Sequence, residues 1–378
     1  MHRLSISGPT FYVATLSRYL QEEFDILLIA GALEADEVDG NYLMSHLQKE
    51  IILIPEMGRS VHLTKDFEAL QRIRATIRDF KPDIVHTHAA KAGAIGRVAA
   101  FLEKVPVVLH TYHGHVFHSY FGGLKTAIFR NIERLLAKKC QRIIAISPKQ
   151  KDELANIYHI CKADKIDIIP LSLDLGRFQQ QIAENRLKFR TEFQLLEDTV
   201  TIGIIGRLTQ IKNHSFFLNS LSLALSQTTK SVKVFIVGDG EERTALENQV
   251  AQLGLSSTVC FTSWRFDMET VIAGLDIVAL SSRNEGTPLV IFEAQAAGKP
   301  VISTKVGGIS DIVLEHQTAL LFDPEDTEGY ATGLIKLIEN ENLRDLMGKN
   351  AIEWIKKSFN SEKNLKATQN LYHTLLLK

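Results

Sequence analysis

Short apolar runs alternate with longer amphipathic stretches along almost all of this 378-residue chain, and the scheme is played through twice. In the first half, residues 4–7, 25–30, 51–54, 84–86, 107–110, 142–146 and 166–169 read as strands. Residues 68–80, 94–101 and 124–139 carry apolar side chains at helical spacing. In the second half, strands are expected at 200–205, 232–237, 259–261, 277–280, 301–303 and 319–322. Helices are expected at 214–226, 242–252, 267–273 and 289–297, with 342–357 and 361–377 following the last strand. Parallel strands need a crossover element, and right-handed crossovers lay helices on the sheet faces. The pattern predicts an α/β chain of two Rossmann-like, doubly wound domains. The break is expected from Ile169-Pro170-Leu171 to about Asp198, where strand pattern yields to a polar helical stretch. Open parallel sheets bind ligands outside the carboxyl ends of their strands, so two such domains predict a central cleft with a ligand on each wall.

Charge narrows the partners. The net charge is −1, and residues 1–176 hold 22 Lys/Arg against 20 Asp/Glu, so no bulk field recruits nucleic acid. Three widely spaced cysteines, Cys140, Cys161 and Cys260, form no CxxC pair, which argues against a zinc site or a disulfide framework. No apolar run approaches the ~18–20 residues that span a bilayer, and a cytoplasmic location, at most on the inner face of a membrane, is the expectation.

The strongest local feature is Glu285-Gly286-Thr287-Pro288-Leu289-Val290-Ile291-Phe292-Glu293, directly after the strand expected at 277–280. Gly286 permits a sharp turn and Pro288 suits the first turn of a helix. Glu285 is expected on the loop and Glu293 about two turns into the helix, on the side that Glu285 can face. The backbone of Gly286, Thr287, Pro288 and Leu289 then meets the cleft with a positive helix end behind it, suited to an anion or a sugar hydroxyl. Taken alone, this is equally a helix-start carboxylate with a solvated glutamate.

A second feature is Gly206-Arg207-Leu208…Lys212-Asn213, where two cations on the loop after a strand could neutralise a diphosphate. Alone they read as ordinary loop cations. A third is Gly238-Asp239-Gly240, a turn where backbone can approach a ligand closely, weak as a phosphate motif by itself. The fourth is histidine: six of the 13 fall between His86 and His118, and His113 and His115 follow the strand at 107–110. With neither HExxH nor Asp-x-Asp in the chain, a hydrogen-bonding or proton-handling role ranks above metal binding, and no metal site is assigned. His86 and His88 read as strand-end packing.

In this order, the motifs resemble those of a retaining glycosyltransferase of family 4, the group 1 glycosyl transferases of GT-B fold. Glu285 to Glu293 is similar to the family's Glu-x7-Glu motif, and the Gly206 loop to its phosphate-binding loop. Asp174-Leu175-Gly176-Arg177-Phe178 resembles its interdomain segment, and Thr111-Tyr112-His113-Gly114 the loop bearing its active-site histidine. The resemblance implies an acceptor-binding domain at 1–176, onto which a C-terminal helix at about 361–378 packs back, and a nucleotide-sugar domain at 177–360. It implies that Arg207 and Lys212 bind the donor diphosphate and that Glu293 takes the ribose hydroxyls. Glu285 would face the sugar, Trp264 and Arg265 flank the base, and Gly238 and Asp239 lie beside the nucleotide. His113 would contact the sugar or leaving phosphate. The implied reaction is metal-free front-face attack with retention, with a donor that is UDP-linked because UDP is commonest in the family, and no cofactor beyond that donor. One departure stands at the start. Arg3 to Thr10 replaces a longer first strand and its glycine-rich loop; Gly8 is expected to keep the close backbone approach.

The resemblance also implies a saccharide or lipid-linked saccharide acceptor in a surface polysaccharide pathway. Arg130, Arg134, Lys138 and Lys139 lie on one helical segment, which suggests either peripheral membrane contact or a solvated helix face. Rival functions are a GT-B epimerase or phosphorylase and a non-catalytic nucleotide-sugar-binding protein. A dehydrogenase is disfavoured because no GxGxxG follows an early strand.

Overall fold

The computed structural model describes residues 3–33, 37–58, 60–113 and 123–377. It divides into two compact units, residues 1–173 with 360–378 and residues 174–359.

Unit 1 opens with helix α1 (Gly8–Leu20), then strands β1 (Ile29–Gly31) and β2 (Ile52–Ile54). Next come α2 (Leu63–Phe80), β3 (Ile84–His88), α3 (Ala90–Leu102), β4 (Val107–Tyr112), α4 (Gly123–Lys139), β5 (Arg142–Ala145), the short α5 (Pro148–Asp152) and β6 (Ile166–Ile168). All pairings are parallel, in two sheets: β1-β2 and β3-β4-β5-β6. Two expectations need correcting here. Residues 4–7 form no strand, only isolated bridges from Arg3 to Gly31 and from Ser5 to Asp39, and the strand expected at 25–30 shrinks to β1. Gly8 is not part of a loop but the first residue of α1. Pro9 at its first turn and Ser7 in extended conformation before it start that helix, which the apolar spacing of Tyr12, Val13, Leu16 and Leu20 buries.

Unit 2 contains α6 (Ile182–Glu192), β7 (Val200–Ile205), α7 (His214–Leu225), β8 (Val232–Val237), α8 (Arg243–Gln252), β9 (Val259–Ser263) and α9 (Met268–Gly274). It continues with β10 (Ile277–Leu280), α10 (Leu289–Ala296), β11 (Val301–Thr304), β12 (Ala319–Phe322), α11 (Thr327–Glu339) and α12 (Glu341–Ser358). Its single six-stranded parallel sheet runs β12-β11-β10-β7-β8-β9. Both faces are helix-covered, so β10 is apolar throughout, and every position of β10 and β11 is buried, Ser303 and Thr304 included. Asp326 and Asn340 cap α11 and α12 by accepting the amides of Gly329 and Leu343. The chain then returns to unit 1 as α13 (Ser361–Leu376), where Tyr372 donates to or accepts from His86 Nδ1 at 2.6 Å.

Candidate functional site

In unit 2 the chain winds from β7 outward through β8 and β9, then resumes on the other side of β7 with β10, β11 and β12. The switch of direction lies between β7 and β10, where doubly wound sheets hold ligands. The loops after these two strands carry Lys212 and Glu285. Lys212 Nζ reaches Glu285 Oε1 at 2.6 Å, and Ser282 Oγ donates to the same oxygen at 2.6 Å. Backbone ties align the two loops: the Arg283 amide donates to the Ile211 carbonyl at 2.8 Å and Ser281 Oγ to the Lys212 carbonyl at 2.9 Å. Arg207, half-buried on the same loop, enters no ion pair or side-chain hydrogen bond among the described residues. Thr209 Oγ1 and both ring nitrogens of the adjacent His214 are buried without a protein partner. Burial first, then the Lys212 charge, pulls His214 down to about 4.

The turn after β8 packs directly on this loop. Gly238 has φ +134, and a Cβ there would overlap the Gly206 carbonyl oxygen, so the residue must be glycine on both counts. The Gly206 amide donates to the Val237 carbonyl at 2.9 Å and the Leu208 amide to the Asp239 carbonyl at 3.0 Å. Asp239 is itself engaged, accepting from the Gly240 amide and from Arg243, each at 2.8 Å. Burial pushes its carboxyl up, but those contacts outweigh it and hold the net value below the ordinary range.

Helix α10 starts at Leu289, as expected, with Pro288 just ahead of it. Pro288 is extended (φ −70, ψ 121) and precedes the first turn, and Glu293 is the fifth helical residue, one turn in rather than two. Pro288 has no N–H, so the amides free to meet a ligand are those of Gly286, Thr287 and Leu289, which have no acceptor among the described residues. Glu293 is buried, and desolvation raises it to about 7, against the pull of Arg177 and with the push of Glu269. Arg177 bridges the two carboxylates, at 3.0 Å from Glu269 and 3.8 Å from Glu293.

Several participants escape sequence reasoning. Arg177 and Glu269 stand far apart in the chain and meet only through the fold. Gly307 and Gly308, after β11, brace the Glu285 loop: the Gly308 amide donates to the Gly286 carbonyl at 3.0 Å, and a Cβ on Gly307 (φ +54) would overlap the Glu285 carbonyl oxygen. The Gly-Gly doublet at a strand end was the available signal. Trp264 and Arg265 follow β9 at the sheet edge, yet Arg265 is clamped by Asp267 at 2.8 Å and by Glu192 at 3.0 Å, which raises its pKa and leaves its fork little freedom.

In unit 1, His113 directly follows β4. Its Nε2 lies 3.0 Å from His88 Nδ1, and Tyr12 of α1 packs edge-on against it with ring centroids 5.1 Å apart. Burial lowers His113 to about 3, so the imidazole is neutral at physiological pH. His86, also lowered to about 3, spans from Tyr372 to Thr111 Oγ1 at 2.7 Å. His115 lies outside the described residues. On α4, Arg134 is turned inward onto the carbonyls of Tyr158 and His159 at 2.7 and 3.0 Å, which removes one cation from the expected basic face. Among the described residues, no three His, Cys, Asp or Glu cluster to hold a metal ion, and no helix is long and apolar enough to cross a membrane.

Comparison with known proteins follows the same division. Residues 6–177 match the model of "Glycosyltransferase Family 4" and residues 185–354 that of "Glycosyl transferases group 1". A UDP-Gal:alpha-D-GlcNAc-diphosphoundecaprenol alpha-1,3-galactosyltransferase of Escherichia coli is 29% identical, over 93% of this chain and 89% of its own length. The capsular polysaccharide biosynthesis glycosyltransferase CapM of Staphylococcus aureus is 27% identical, over 89% and 88%. The crystal structure of Anabaena Alr3699/HepE with UDP and glucose superposes with a TM-score of 0.81 at 20% identity, covering 99% of this chain and 98% of that one.

Proposed function

Because this chain belongs to the family 4, group 1 glycosyltransferases of GT-B fold, we propose that it moves a sugar from a UDP-linked donor to a hydroxyl of a saccharide or lipid-linked saccharide, with retention. The pairing of Lys212 with Glu285 across the switch point, beside an uncommitted Arg207, carries this reading. Arg207 and Lys212 take the diphosphate, joined by the amides of Gly286, Thr287 and Leu289 and by the orphaned Thr209 hydroxyl. A donor phosphate then competes with Glu285 for Lys212, which frees the carboxylate for the sugar as the phosphate seats. Glu293 accepts from the ribose hydroxyls, and Gly238 and Asp239 lie beside the nucleotide. Trp264, rather than the clamped Arg265, meets the base.

The chemistry follows from charge. The bond from sugar C1 to the phosphate oxygen breaks, and the electron pair leaves on the diphosphate, where the two cations stabilise it. The acceptor oxygen bonds to C1 on the same face, and its proton passes to the departing phosphate. His113, as a neutral imidazole, hydrogen-bonds at the sugar or the leaving phosphate without adding charge.

Support for the acceptor class comes from the relatives' names: a diphosphoundecaprenol-linked sugar in one, a capsular polysaccharide in another. Unit 1 supplies the acceptor side in this reading, and membrane contact through α4 rests on the cations other than Arg134. The test is incubation of the purified protein with UDP-, GDP- and ADP-sugars and a diphosphoundecaprenol-linked saccharide. Release of UDP with formation of an α-glycoside is expected. Isomerised donor without release of nucleoside diphosphate would make it an epimerase, and tight binding without turnover a binding protein.

A further inference from the structure

Consecutive side chains of a strand point to opposite faces of its sheet, so the end of β4 is held from two sides. On one face Thr111 Oγ1 meets His86 Nε2 at 2.7 Å, and His113, just past the strand, meets His88 and Tyr12. On the other lie His110 and Tyr112, their rings edge to face with centroids 4.5 Å apart. There Tyr112 reaches an ion pair between α3 and α4. Arg97 of α3 sends Nη2 to both carboxylate oxygens of Glu133 of α4, each at 2.9 Å, and Nε to the Gly93 carbonyl at 2.9 Å. The Tyr112 hydroxyl donates to Glu133 Oε2. Burial, and then the Glu133 charge, hold this phenol well above its ordinary value, so the proton stays on Tyr112. All three side chains are buried.

A buried ion pair is a poor device for stability alone. Desolvating both charges offsets most of their attraction, and apolar side chains of similar volume often serve as well or better. Here the guanidinium is not fully matched either, since Nη1 finds no oxygen partner among the described residues. What the network supplies is direction. Apolar contact alone leaves a ring free to slide, whereas a hydroxyl donating to a carboxylate that a guanidinium holds in place fixes where the ring ends. Tyr112 is joined to His113 by one peptide unit. Pinning its side chain on the face of α3 and α4 therefore pins the backbone from which the His113 imidazole departs on the opposite face.

We propose that Arg97 and Glu133, acting through the Tyr112 hydroxyl, are positioning residues for His113, a reading that rests on the role given to His113 above. They reach the sugar or the leaving phosphate only through that imidazole.

The test is a double-mutant cycle with stability measured alongside. Tyr112→Phe removes one hydroxyl and leaves the ion pair matched. The triple variant Arg97→Met, Glu133→Leu, Tyr112→Phe removes both charges and the hydroxyl together and keeps the core filled. Each is made in the wild-type protein and in His113→Ala. The measurements are kcat for UDP release from UDP-sugars with the diphosphoundecaprenol-linked saccharide, UDP affinity and melting temperature. In the wild-type background both should lose roughly tenfold in kcat, since a small misplacement of a reacting group is costly. UDP affinity should hold, and the triple variant should melt near the wild-type temperature. In the His113→Ala background neither should lower kcat further. Independently of turnover, the His113 ring signal in NMR, assigned by its loss in His113→Ala, should shift or broaden in Tyr112→Phe. Equal kcat losses in both backgrounds, an unmoved His113 signal, or full kcat in Tyr112→Phe while His113→Ala is impaired would each overturn the proposal. Full kcat in His113→Ala would instead remove the role of His113 itself, and no UDP release by the wild-type protein would remove the proposed reaction; this inference falls with either.

Discussion

If Glu293 holds the ribose as proposed, Glu293 and Arg177 make UDP binding depend on pH. The carboxyl is raised to about 7 by burial, with Arg177 opposing and Glu269 adding to the rise. A ribose hydroxyl is best held by the ionised form, so UDP affinity should increase as pH rises through 7. Arg177→Met removes the opposing charge and should move that rise to higher pH, with binding largely recovered by pH 8.5, whereas Arg177→Lys should keep the profile near wild type. Titration of UDP at several pH values checks this, and an unshifted profile in the methionine variant would separate Arg177 from Glu293. Glu293→Gln should weaken UDP by about 1–2 kcal/mol and flatten the profile. At this scale the sequence marks Glu285, Glu293, Arg207 and Lys212 by spacing and by position after strands. It marks Arg177 only as part of an interdomain segment and gives no sign of Glu269 or of the pairing between them, because an ion pair between distant segments exists only once the fold brings them together.

Among elements, the loops of unit 2 depend on glycines that let one backbone rest on another. Gly307→Ala forces a side chain against the Glu285 carbonyl at a positive φ, and the strained backbone alone costs about 1–3 kcal/mol. Relief by shifting the loop would displace Glu285. Transfer should therefore fall by far more than the melting temperature suggests, and a variant with full turnover would show that the brace is dispensable. Strands β7, β8, β10 and β12 are legible to the residue in the sequence, because doubly covered parallel strands are continuous apolar runs bounded by turns. Helices α1 and α11 are not anticipated: the first hides behind Gly8-Pro9, the second among Gly329 and Gly333. The overestimated strands at 4–7 and 25–30 lie beside the two-stranded sheet of unit 1, where among the described residues strand-like sequence finds only isolated bridges and one short pairing.

Across the molecule, unit 1 is built around histidines that fold neutral. His86 and His113 are lowered to about 3, and His88 and His110 also lie well below the ordinary value, all by burial first. The unfolded chain binds these protons near pH 6.5, so stability is full above that value and is lost progressively as pH falls toward 3. Glu293, raised to about 7 from an ordinary value near 4.5, acts oppositely, its contribution being lost as pH rises through 7, but one carboxyl opposes four imidazoles. Melting scans should show a steep decline below pH 6, and a flat profile down to pH 4 would contradict the burial of these rings. Tyr372→Phe removes the α13 partner of His86 and should cost about 1–3 kcal/mol by leaving a buried ring nitrogen unsatisfied.

The most direct measurement is calorimetric titration of UDP into the wild-type protein, Arg207→Ala and Lys212→Ala at one fixed ionic strength. Each substitution should weaken binding by roughly tenfold to a hundredfold, the range expected for loss of one charge-assisted contact. Unchanged affinity in both variants would contradict the assignment of the β7 loop as the seat of the donor diphosphate.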